Sequence, residues 1–495
     1  MTRTRIAIAL LLVALGPAAC SRPRPPAGPT PPPASPSPTV APDVTVAVDA
    51  SGDLGAFNNP ARYHNQADHA QLLTDAQVAR VRELAPVVTR AWISAQWYYD
   101  PAKDTYDFDY RAPNGRSLYG YLDQVSSYTQ RLFLNLNQCD QQIMDLASPQ
   151  RCAEAIYQGI RHYKQRYPAF EFLEVFNEPD RDWPEPAGTP RAMDADTYYG
   201  WYAHAYRAVN RVNAELRPQV PLKVGGPVTY YFDKPFIRDF LARYAADTDP
   251  AKRLDFVSYH QYKARTNPAS VAGEKREVQQ MLTDLGLPDL PVYVTELGVF
   301  PGANSGTTFD EDMLTQSAAA AVLGNTYATW GLNMPMHWLF DHPTNDRKSM
   351  FVEGSDSAVT PYYNVVAMQR MLRERLVPST VAPKPRDGRG VHAWATADAG
   401  SAAVMLTNYT WTDRRPQSSR EVAAVQIGGL PPALRGRDVR VEVYLVDRRH
   451  SNVTAGAPDG RLERVADTSQ RAGERLTVTV ELGPNASALV VITPR

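Results

Sequence analysis

Cysteine is scarce in this chain, and neither sign of charge is in excess. Its 495 residues include three cysteines, and 52 Lys and Arg stand against 53 Asp and Glu, which gives a formal net charge of −1. Because the positive and negative charges nearly cancel, the protein has no overall positive field that would hold nucleic acid or an anionic membrane surface. Hydrophobic residues make up 43% and charged residues 21%, the profile of a soluble globular protein. We therefore expect no nucleic acid partner.

The sequence also lacks two common cofactor-binding patterns. No group of cysteines and histidines has the spacing of metal ligands. No glycine-rich phosphate loop follows the first predicted strand. We therefore predict neither a metal ion nor another cofactor. Aromatic residues, by contrast, are plentiful, with 26 Tyr and 8 Trp, and flat rings suit sugar faces as well as ordinary cores.

The first twenty residues have the features of a targeting segment. Arg3 and Arg5 precede an apolar stretch, residues 6–15, that is too short to span a bilayer. Small residues then lead to Cys20, a pattern that resembles a bacterial lipoprotein signal, although Pro17 stands where such signals usually carry Leu. We expect an exported protein that is lipid-anchored through Cys20 on the outer face of the cell membrane. The alternative is secretion after cleavage nearby.

A proline-rich segment, residues 21–43, follows the signal. It holds 10 of the 42 prolines in the chain. Such a segment cannot bury apolar surface and behaves as a semi-rigid spacer. It would hold a folded domain away from the membrane.

The two remaining cysteines are Cys139 and Cys152. Export would place them in an oxidising compartment, where cysteines separated by a short loop can form a bridge. We predict a disulfide between them, with two free thiols as the alternative.

Residues 44–380 alternate short apolar runs with amphipathic segments. Eight βα units of this kind fit a (β/α)₈ TIM barrel, with a doubly wound open sheet as the competing architecture. The predicted strands are residues 44–50, 86–94, 131–138, 170–177, 222–228, 254–262, 292–298 and 334–340. The clearest predicted helices are residues 76–84, 154–167, 197–216 and 362–376.

The pattern changes after about residue 380. Short, β-branched, partly alternating runs separated by turn residues predict a C-terminal β-sandwich over residues 381–495. The runs are residues 391–397, 402–411, 421–430, 438–447, 475–483 and 488–494.

Two predicted barrel strands end in a glutamate. The fourth continues into Asn177-Glu178-Pro179, and the seventh, VYVTELG, carries Glu296. A lone glutamate after a strand is commonly a solvated loop residue or a helix-cap partner. A pair facing each other across the carboxyl end of a barrel is different, because glycoside hydrolysis needs two such carboxyl groups.

The stretches FLEVFNEPD and VYVTELG resemble the acid/base and nucleophile motifs of clan A glycoside hydrolases. Within that clan the sequence is most similar to glycoside hydrolase family 39, the family of β-xylosidases and related enzymes. LKVGGP, DFVSYHQY, MHWLFDH and TPYYNVVAMQRML support this choice. The resemblance implies a (β/α)₈ barrel with a C-terminal β-sandwich and catalysis with retention. It also implies that Glu178 is the general acid/base, that Glu296 is the nucleophile and that Asn177 hydrogen-bonds the sugar 2-hydroxyl.

The resemblance assigns further residues to substrate and carboxylate binding. His260 and Tyr262 would orient or hydrogen-bond the carboxylates, Arg90 would steady Glu296, and Trp338 would form a stacking floor. Each also has a structural interpretation: Arg90 as a salt-bridged core residue, His260 as a satisfied core histidine, and Trp338 as barrel packing.

Aromatic residues cluster near the predicted strand-end loops. They could line a glycan cleft or pack the loops, and the sequence does not choose between these roles. They are Trp92, Trp97, Tyr98, Tyr99 and Trp183.

The predicted function is a retaining glycosidase that cleaves a β-linked oligo- or polysaccharide with two glutamates. The alternative is a surface glycan-binding lipoprotein that kept the barrel and lost catalysis. The sugar, the linkage and the oligomeric state are not predicted.

Overall fold

The computed structural model describes residues 41–495 except 67–71, 113–114, 138–147, 182–191, 299–312, 342–348, 411–419 and 457–458. The predicted signal with Cys20 and nearly all of the proline-rich segment lie outside the described residues, as does Cys139. Cys152 is buried on the helix Pro149–Arg166. The Cys139–Cys152 disulfide therefore stays a prediction.

Within the described ranges, the chain forms twenty β-strands and nine α-helices. The strands are β1 Val44–Asp49, β2 Tyr63–Asn65, β3 Val88–Ser94, β4 Tyr99–Asp100, β5 Thr105–Tyr106, β6 Arg131–Asn137, β7 Phe170–Val175, β8 Lys223–Thr229, β9 Phe256–Gln261, β10 Val292–Leu297, β11 Met334–His337, β12 Arg375–Val377, β13 Ser379–Ala382, β14 Gly390–Ala397, β15 Ala402–Tyr409, β16 Glu421–Gly428, β17 Asp438–Val446, β18 Glu463–Arg471, β19 Arg475–Leu482 and β20 Ser487–Pro494. The helices are α1 Asp75–Leu84, α2 Ala95–Tyr98, α3 Leu118–Ser126, α4 Pro149–Arg166, α5 Ala195–Leu216, α6 Lys234–Ala246, α7 Glu274–Asp284, α8 Met313–Thr329 and α9 Pro361–Arg370.

Eight parallel strands close into a barrel. In chain order they are β2, β3, β6, β7, β8, β9, β10 and β11, and β11 pairs with β2 to close the ring. Most of these strands are buried on both faces because helices cover the outside, so they read as nearly continuous apolar runs. The predicted (β/α)₈ barrel is confirmed.

The prediction of the first barrel strand is wrong. β1, the predicted first strand, pairs with β13 and β16 and belongs to the sandwich. Its burial alternates strictly, with Val44, Val46 and Val48 facing inward, as expected of a sheet with one exposed face. The first barrel strand is β2, which was missed because three residues, Tyr-His-Asn, carry no apolar pattern.

The C-terminal β-sandwich is also confirmed, but its limits differ from those predicted. One sheet has the order β13-β1-β16-β19 and the other β12-β14-β15-β20-β17-β18. The predicted helix 362–376 ends at Arg370, and its last residues form β12 instead. The sandwich thus begins near residue 375 and recruits β1 from the N-terminal side. β18 was missed because it is a largely exposed, polar edge strand.

An aromatic layer fills the lower part of the barrel interior. It is formed by inward-facing side chains of successive strands: Tyr63, Val88, Phe133, Phe172, Phe256, Tyr293, Met334 and Met336. The rings of Phe133 and Phe172 lie 5.5 Å apart, and those of Phe256 and Tyr293 lie 4.7 Å apart. This packing closes the barrel from below and leaves polar side chains to face its carboxyl end.

The sandwich packs against two barrel helices through an apolar cluster. Ala321 of α8 and Val365 of α9 meet Met405 and Leu489 of the six-stranded sheet in this cluster. Asn364 Nδ2 donates to the Ser451 carbonyl at 2.8 Å across the same contact. None of the helices in the ranges described above is both long and apolar enough to cross a membrane.

Candidate active site

Glu178 stands on a tight turn just past β7. Phe176 and Glu178 both adopt positive φ, +65° and +53°, which is uncommon for residues other than glycine and is concentrated at functional sites. The turn is held by its surroundings: Asn135 Nδ2 donates to the Phe176 carbonyl at 2.5 Å, and the Glu178 N–H donates to the Val228 carbonyl at 3.1 Å. The turn places the Glu178 side chain inside the barrel mouth, where it is 2% exposed.

Glu296 lies near the end of β10 and is held by two donors. Arg90 Nη1 donates to its Oε1 at 2.6 Å, and the Tyr262 hydroxyl donates to its Oε2 at 2.6 Å. Arg90 comes from β3, and Tyr262 directly follows β9. Three strands therefore converge on one carboxylate, which is 3% exposed.

His260 stands between the two glutamates. Its Nδ1 is 2.8 Å from Glu178 Oε1 and 3.4 Å from Glu296 Oε2. Burial lowers the pKa of His260 well below its usual value, and the positive charges of Arg90 and Arg181 lower it further. The imidazole is therefore neutral at ordinary pH and acts as a hydrogen-bonding spacer between the carboxyl groups.

A third carboxylate, Glu174, lies beneath the pair and was missed from the sequence. Its Oε2 accepts from Arg90 Nε at 2.7 Å and from Asn135 Nδ2 at 3.2 Å, and its Oε1 accepts from the Thr295 hydroxyl at 2.8 Å. Arg90 and Glu174 are both fully buried. A signal was present in the sequence, because FLEVFN and VTRAWIS each put a charged residue into an otherwise apolar strand, and buried charges need partners.

Arg90 is the hub of this buried polar layer. Besides Glu296 and Glu174, it donates from Nη2 to Asn177 Oδ1 at 2.9 Å and from Nη1 to Asn65 Oδ1 at 3.2 Å. Arg90 is therefore a salt-bridged residue of the barrel interior and also contacts Glu296. The two predicted roles, core ion pair and support for Glu296, are both met by this one arrangement. Asn65, on the missed strand β2, escaped the sequence prediction too.

The environment divides the two site carboxyls into an acid and an anion. Burial raises the pKa of Glu178 well above its usual value, and the nearby charge of Glu296 raises it further. Burial also raises the pKa of Glu296, to about 7, but the Arg90 guanidinium and the Tyr262 hydroxyl oppose that rise. The proton of the pair is therefore held on Glu178 and the negative charge on Glu296, which is the division of roles that two catalytic carboxyls require.

The predicted stacking residue Trp338 is half-buried at the mouth. Its ring stands edge-on to Tyr262 and Trp92, with centroids 6.4 Å and 6.2 Å away. Trp92 in turn lies 4.9 Å from the Arg90 guanidinium. The structure thus gathers Trp338, Trp92 and Tyr262 at the site.

The other aromatic candidates divide differently. Tyr98 and Tyr99 are buried, with hydroxyls bonded to the Ala155 carbonyl and to Asp104, so they pack the loop rather than line a cleft. Trp97 stacks on Tyr110 at 6.4 Å. Trp183 lies outside the described residues.

Arg181 is a further side chain at the mouth that was not predicted. Its Nη1 donates to Glu178 Oε2 at 3.2 Å, and its guanidinium lies 4.1 Å from the centre of the Tyr230 ring. No pattern in the sequence distinguishes it from an ordinary charged loop residue.

A metal ion does not suit this group of residues. Glu178, His260 and Glu296 present donor atoms within 4.8 Å of one another, the one such group in the part of the chain described here. The Arg90 guanidinium, however, already lies 2.6 Å from a Glu296 oxygen, and a fixed positive charge at that distance repels a cation. The arrangement fits a pair of catalytic carboxyls better.

A (β/α)₈ barrel with buried glutamates at the ends of strands four and seven has the architecture that glycoside hydrolysis needs. Residues 142–326 match the family described as glycosyl hydrolases family 39. The predicted resemblance to glycoside hydrolase family 39 is confirmed over these residues, and the chain is a glycosidase. No curated protein matches it at a significant level.

Several solved structures are similar over nearly the whole chain. A GH39 enzyme from Xanthomonas axonopodis pv. citri has 16% identity and a TM-score of 0.69, over 92% of this chain and 98% of that one. A monomeric β-xylosidase from Caulobacter crescentus CB15 has 15% identity and a TM-score of 0.67, over 91% and 99%. A glucosidase from Croceicoccus marinus has 16% identity and a TM-score of 0.66, also over 91% and 99%. At these identities the likeness establishes the shared fold.

Proposed function

We propose that the protein cleaves a β-linked glycan with retention of anomeric configuration, by double displacement. The observation that carries this proposal is the closeness of the two carboxyl groups. An oxygen of Glu178 and an oxygen of Glu296 lie within 4.8 Å of each other. Retaining enzymes hold their carboxyls roughly 5–5.5 Å apart, whereas inverting enzymes need roughly 6.5–9.5 Å to admit a water molecule.

In the first step, Glu178 donates its proton to the glycosidic oxygen while Glu296 attacks the anomeric carbon. The bond to the leaving group breaks, and a glycosyl ester forms on Glu296. Burial and the charge of Glu296 keep the proton on Glu178 before the step. Arg90 and Tyr262 fix the two oxygens of Glu296, so that one of them faces the substrate in a set orientation.

In the second step, Glu178 is an anion and takes a proton from water as that water attacks the ester. Glu296 leaves as a carboxylate, and Arg90 and Tyr262 stabilise the charge that returns to it. His260, neutral and 2.8 Å from Glu178, holds that carboxyl in place through both steps.

Two residues are proposed to bind the sugar itself. Asn177, whose Oδ1 is fixed by Arg90, is oriented for its amide to meet the 2-hydroxyl. Trp338, half-buried beside Tyr262, offers a ring face to the pyranose. The similar β-xylosidase and glucosidase structures make aryl β-xylosides and aryl β-glucosides the first substrates to test.

The decisive measurement is the anomeric configuration of the first product, followed by proton NMR. Retention is expected, and an inverted product would refute double displacement. Glu296→Ala should abolish turnover for every leaving group, and added azide should then yield the inverted glycosyl azide.

Glu178→Ala should fail differently, because it removes the proton donor and leaves the nucleophile. Poor leaving groups should slow by about 10²–10⁴-fold, activated aryl glycosides much less, and azide should give the retained product. Glu171→Ala is a matched control, because Glu171 lies near the other end of the same strand, where it pairs with Arg131 and Lys223. Near-normal turnover in Glu296→Ala would rule out this mechanism.

We also propose that the enzyme is exported and anchored through a lipid on Cys20. This rests on the sequence of residues 1–20 alone. The spacer over residues 21–43 would then let the barrel reach glycans beyond the membrane surface.

A further inference from the structure

We propose that Arg181 is a positioning residue that favours the anionic form of Glu178 during the second half of the reaction. The inference rests on the proposed function, because it needs Glu178 as an acid that later becomes a base. In this proposal Arg181 does not bind the substrate; it acts through Glu178.

The first support is the direct contact between the two side chains. Arg181 Nη1 donates to Glu178 Oε2 at 3.2 Å, while His260 contacts the other oxygen, Oε1. The Arg181 N–H also donates to the Glu178 carbonyl at 3.2 Å, so the turn itself sets the arginine beside the carboxyl. With its side chain 28% exposed, Arg181 stands between the buried Glu178 and the open mouth.

The second support is a stack of rings that holds the guanidinium in place. Arg181 lies over Tyr230 at 4.1 Å, and Tyr230 lies nearly parallel to Tyr262, with centroids 5.9 Å apart and an interplanar angle of 29°. Asp180 Oδ1 accepts the Tyr230 N–H at 2.9 Å and ties the two loops together. The Tyr262 hydroxyl in turn donates to Glu296. The two tyrosine rings that support Arg181 are therefore fixed to the proposed nucleophile.

The charges around Glu178 change between the two half-reactions. In the free enzyme the negative charge of Glu296 opposes ionisation of Glu178 and outweighs Arg181. Once Glu296 is esterified it is neutral, and that opposition is gone, whereas Arg181 remains in hydrogen-bond contact. Its effect is therefore expressed most fully when Glu178 must be an anion. The titratable and charged groups near Glu178 are Asp180 and Arg181 on its own loop, His260 and Tyr262 after strand six, Glu296 on strand seven and Arg90 on strand two.

The test is the pH profile of Arg181→Leu. For a substrate with a poor leaving group, the basic limb of kcat/KM reports the proton on Glu178 in the free enzyme. Because Arg181 lowers the pKa of Glu178, its loss should move that limb to higher pH. For an activated aryl glycoside whose ester hydrolysis limits turnover, the acidic limb of kcat should also move to higher pH. An adjacent opposite charge typically shifts the pKa of a carboxyl group by about 1–3 pH units. Because Arg181 is partly exposed, the expected movement of each limb is about one pH unit.

Two further variants separate charge from structure. Arg181→Lys keeps the positive charge and should return both limbs most of the way to their wild-type positions. Lys263→Leu removes a neighbouring cation that lies over Tyr231 and should leave both limbs in place. Movement of the limbs in Arg181→Leu, with this pattern in the other two variants, supports the inference.

If the limbs of the pH profiles do not move in Arg181→Leu, the inference is overturned. A uniform fall in activity would then indicate a structural role for Arg181, and a rise in KM alone would indicate substrate binding. The same limb shift in Lys263→Leu also overturns it, because the effect would then belong to the net charge of the mouth. These results are distinct from failure of the proposed function. That failure would show as an inverted product or as normal turnover of poor leaving groups in Glu178→Ala.

Discussion

Replacing Arg90 by methionine should destabilise the folded protein more than most single substitutions. Methionine matches the length of the arginine stem but removes the buried positive charge. Glu174 and Glu296 would then be two carboxylates, 0% and 3% exposed, without the cation that pairs them. The change should also slow turnover, because the nucleophile loses the donor that favours its anion.

The magnitude follows from the bonds that are lost. Arg90 makes two charge-assisted hydrogen bonds to carboxylates, at 2.7 and 2.6 Å, and two to amide oxygens. At roughly 1.5–3 kcal/mol for each of the two charged bonds, the loss is about 3–6 kcal/mol. Breaking a buried ion pair by removing one partner typically costs about 3–5 kcal/mol, which agrees.

The assay is urea unfolding at several pH values, and the loss should grow as the pH rises. The pKa of Glu296 is about 7 even with Arg90 present, and removing the cation raises it further. A carboxyl whose pKa is higher in the folded than in the unfolded state destabilises the fold above its unfolded pKa of about 4.3. The Glu296 carboxyl of the wild type is itself protonated below about pH 7, so the extra loss from this group is small up to that pH. It grows above about pH 7 until the pH passes the higher pKa that Glu296 has in the variant.

A second substitution provides the control. Glu174→Gln in the Arg90→Met background removes one stranded carboxylate while keeping its shape. It should recover part of the stability, within the coupling of about 0.5–3 kcal/mol usual for contacting residues. An Arg90→Met protein as stable as the wild type, or a loss that does not change between pH 6 and 9, would refute this account of the buried charges.

Three other predictions concern the parts of the chain around the site. Cys20→Ser should release the protein from the membrane fraction, and unchanged fractionation would rule out Cys20 as the anchor. Mass spectrometry of the unreduced, denatured protein should find Cys139 and Cys152 bridged, which could add on the order of 3 kcal/mol by chain entropy; two alkylatable thiols would contradict this. Truncation after residue 374 should give insoluble protein, because it strips the apolar surfaces of α8 and α9 and leaves β1 without its sheet. A soluble, fully active truncation would show that the sandwich does not support the barrel.

The strands that carry the catalytic candidates were predictable from the sequence. β7 and β10 are rich in apolar residues; β7 leads into Glu178, and β10 carries Glu296 near its end. Barrel geometry brings the ends of strands four and seven to one rim, so the sequence alone is enough to pair Glu178 with Glu296. β2 could not be found in this way, since three polar residues acquire their strand conformation only by pairing with β3 and β11.

By itself, the sequence determined the class of fold, the order of the barrel strands from the second onward and the two glutamates, because these depend on local apolar patterns and on short motifs. The tertiary structure decided what depends on distant partners. A six-residue alternating strand such as β1 does not specify its neighbours, and only the presence of β13 and β16 drew it into the sandwich. The contacts of Arg90 with Glu174 and Glu296 join residues 84 and 206 positions apart, and their energy exists only where folding excludes water from all three side chains.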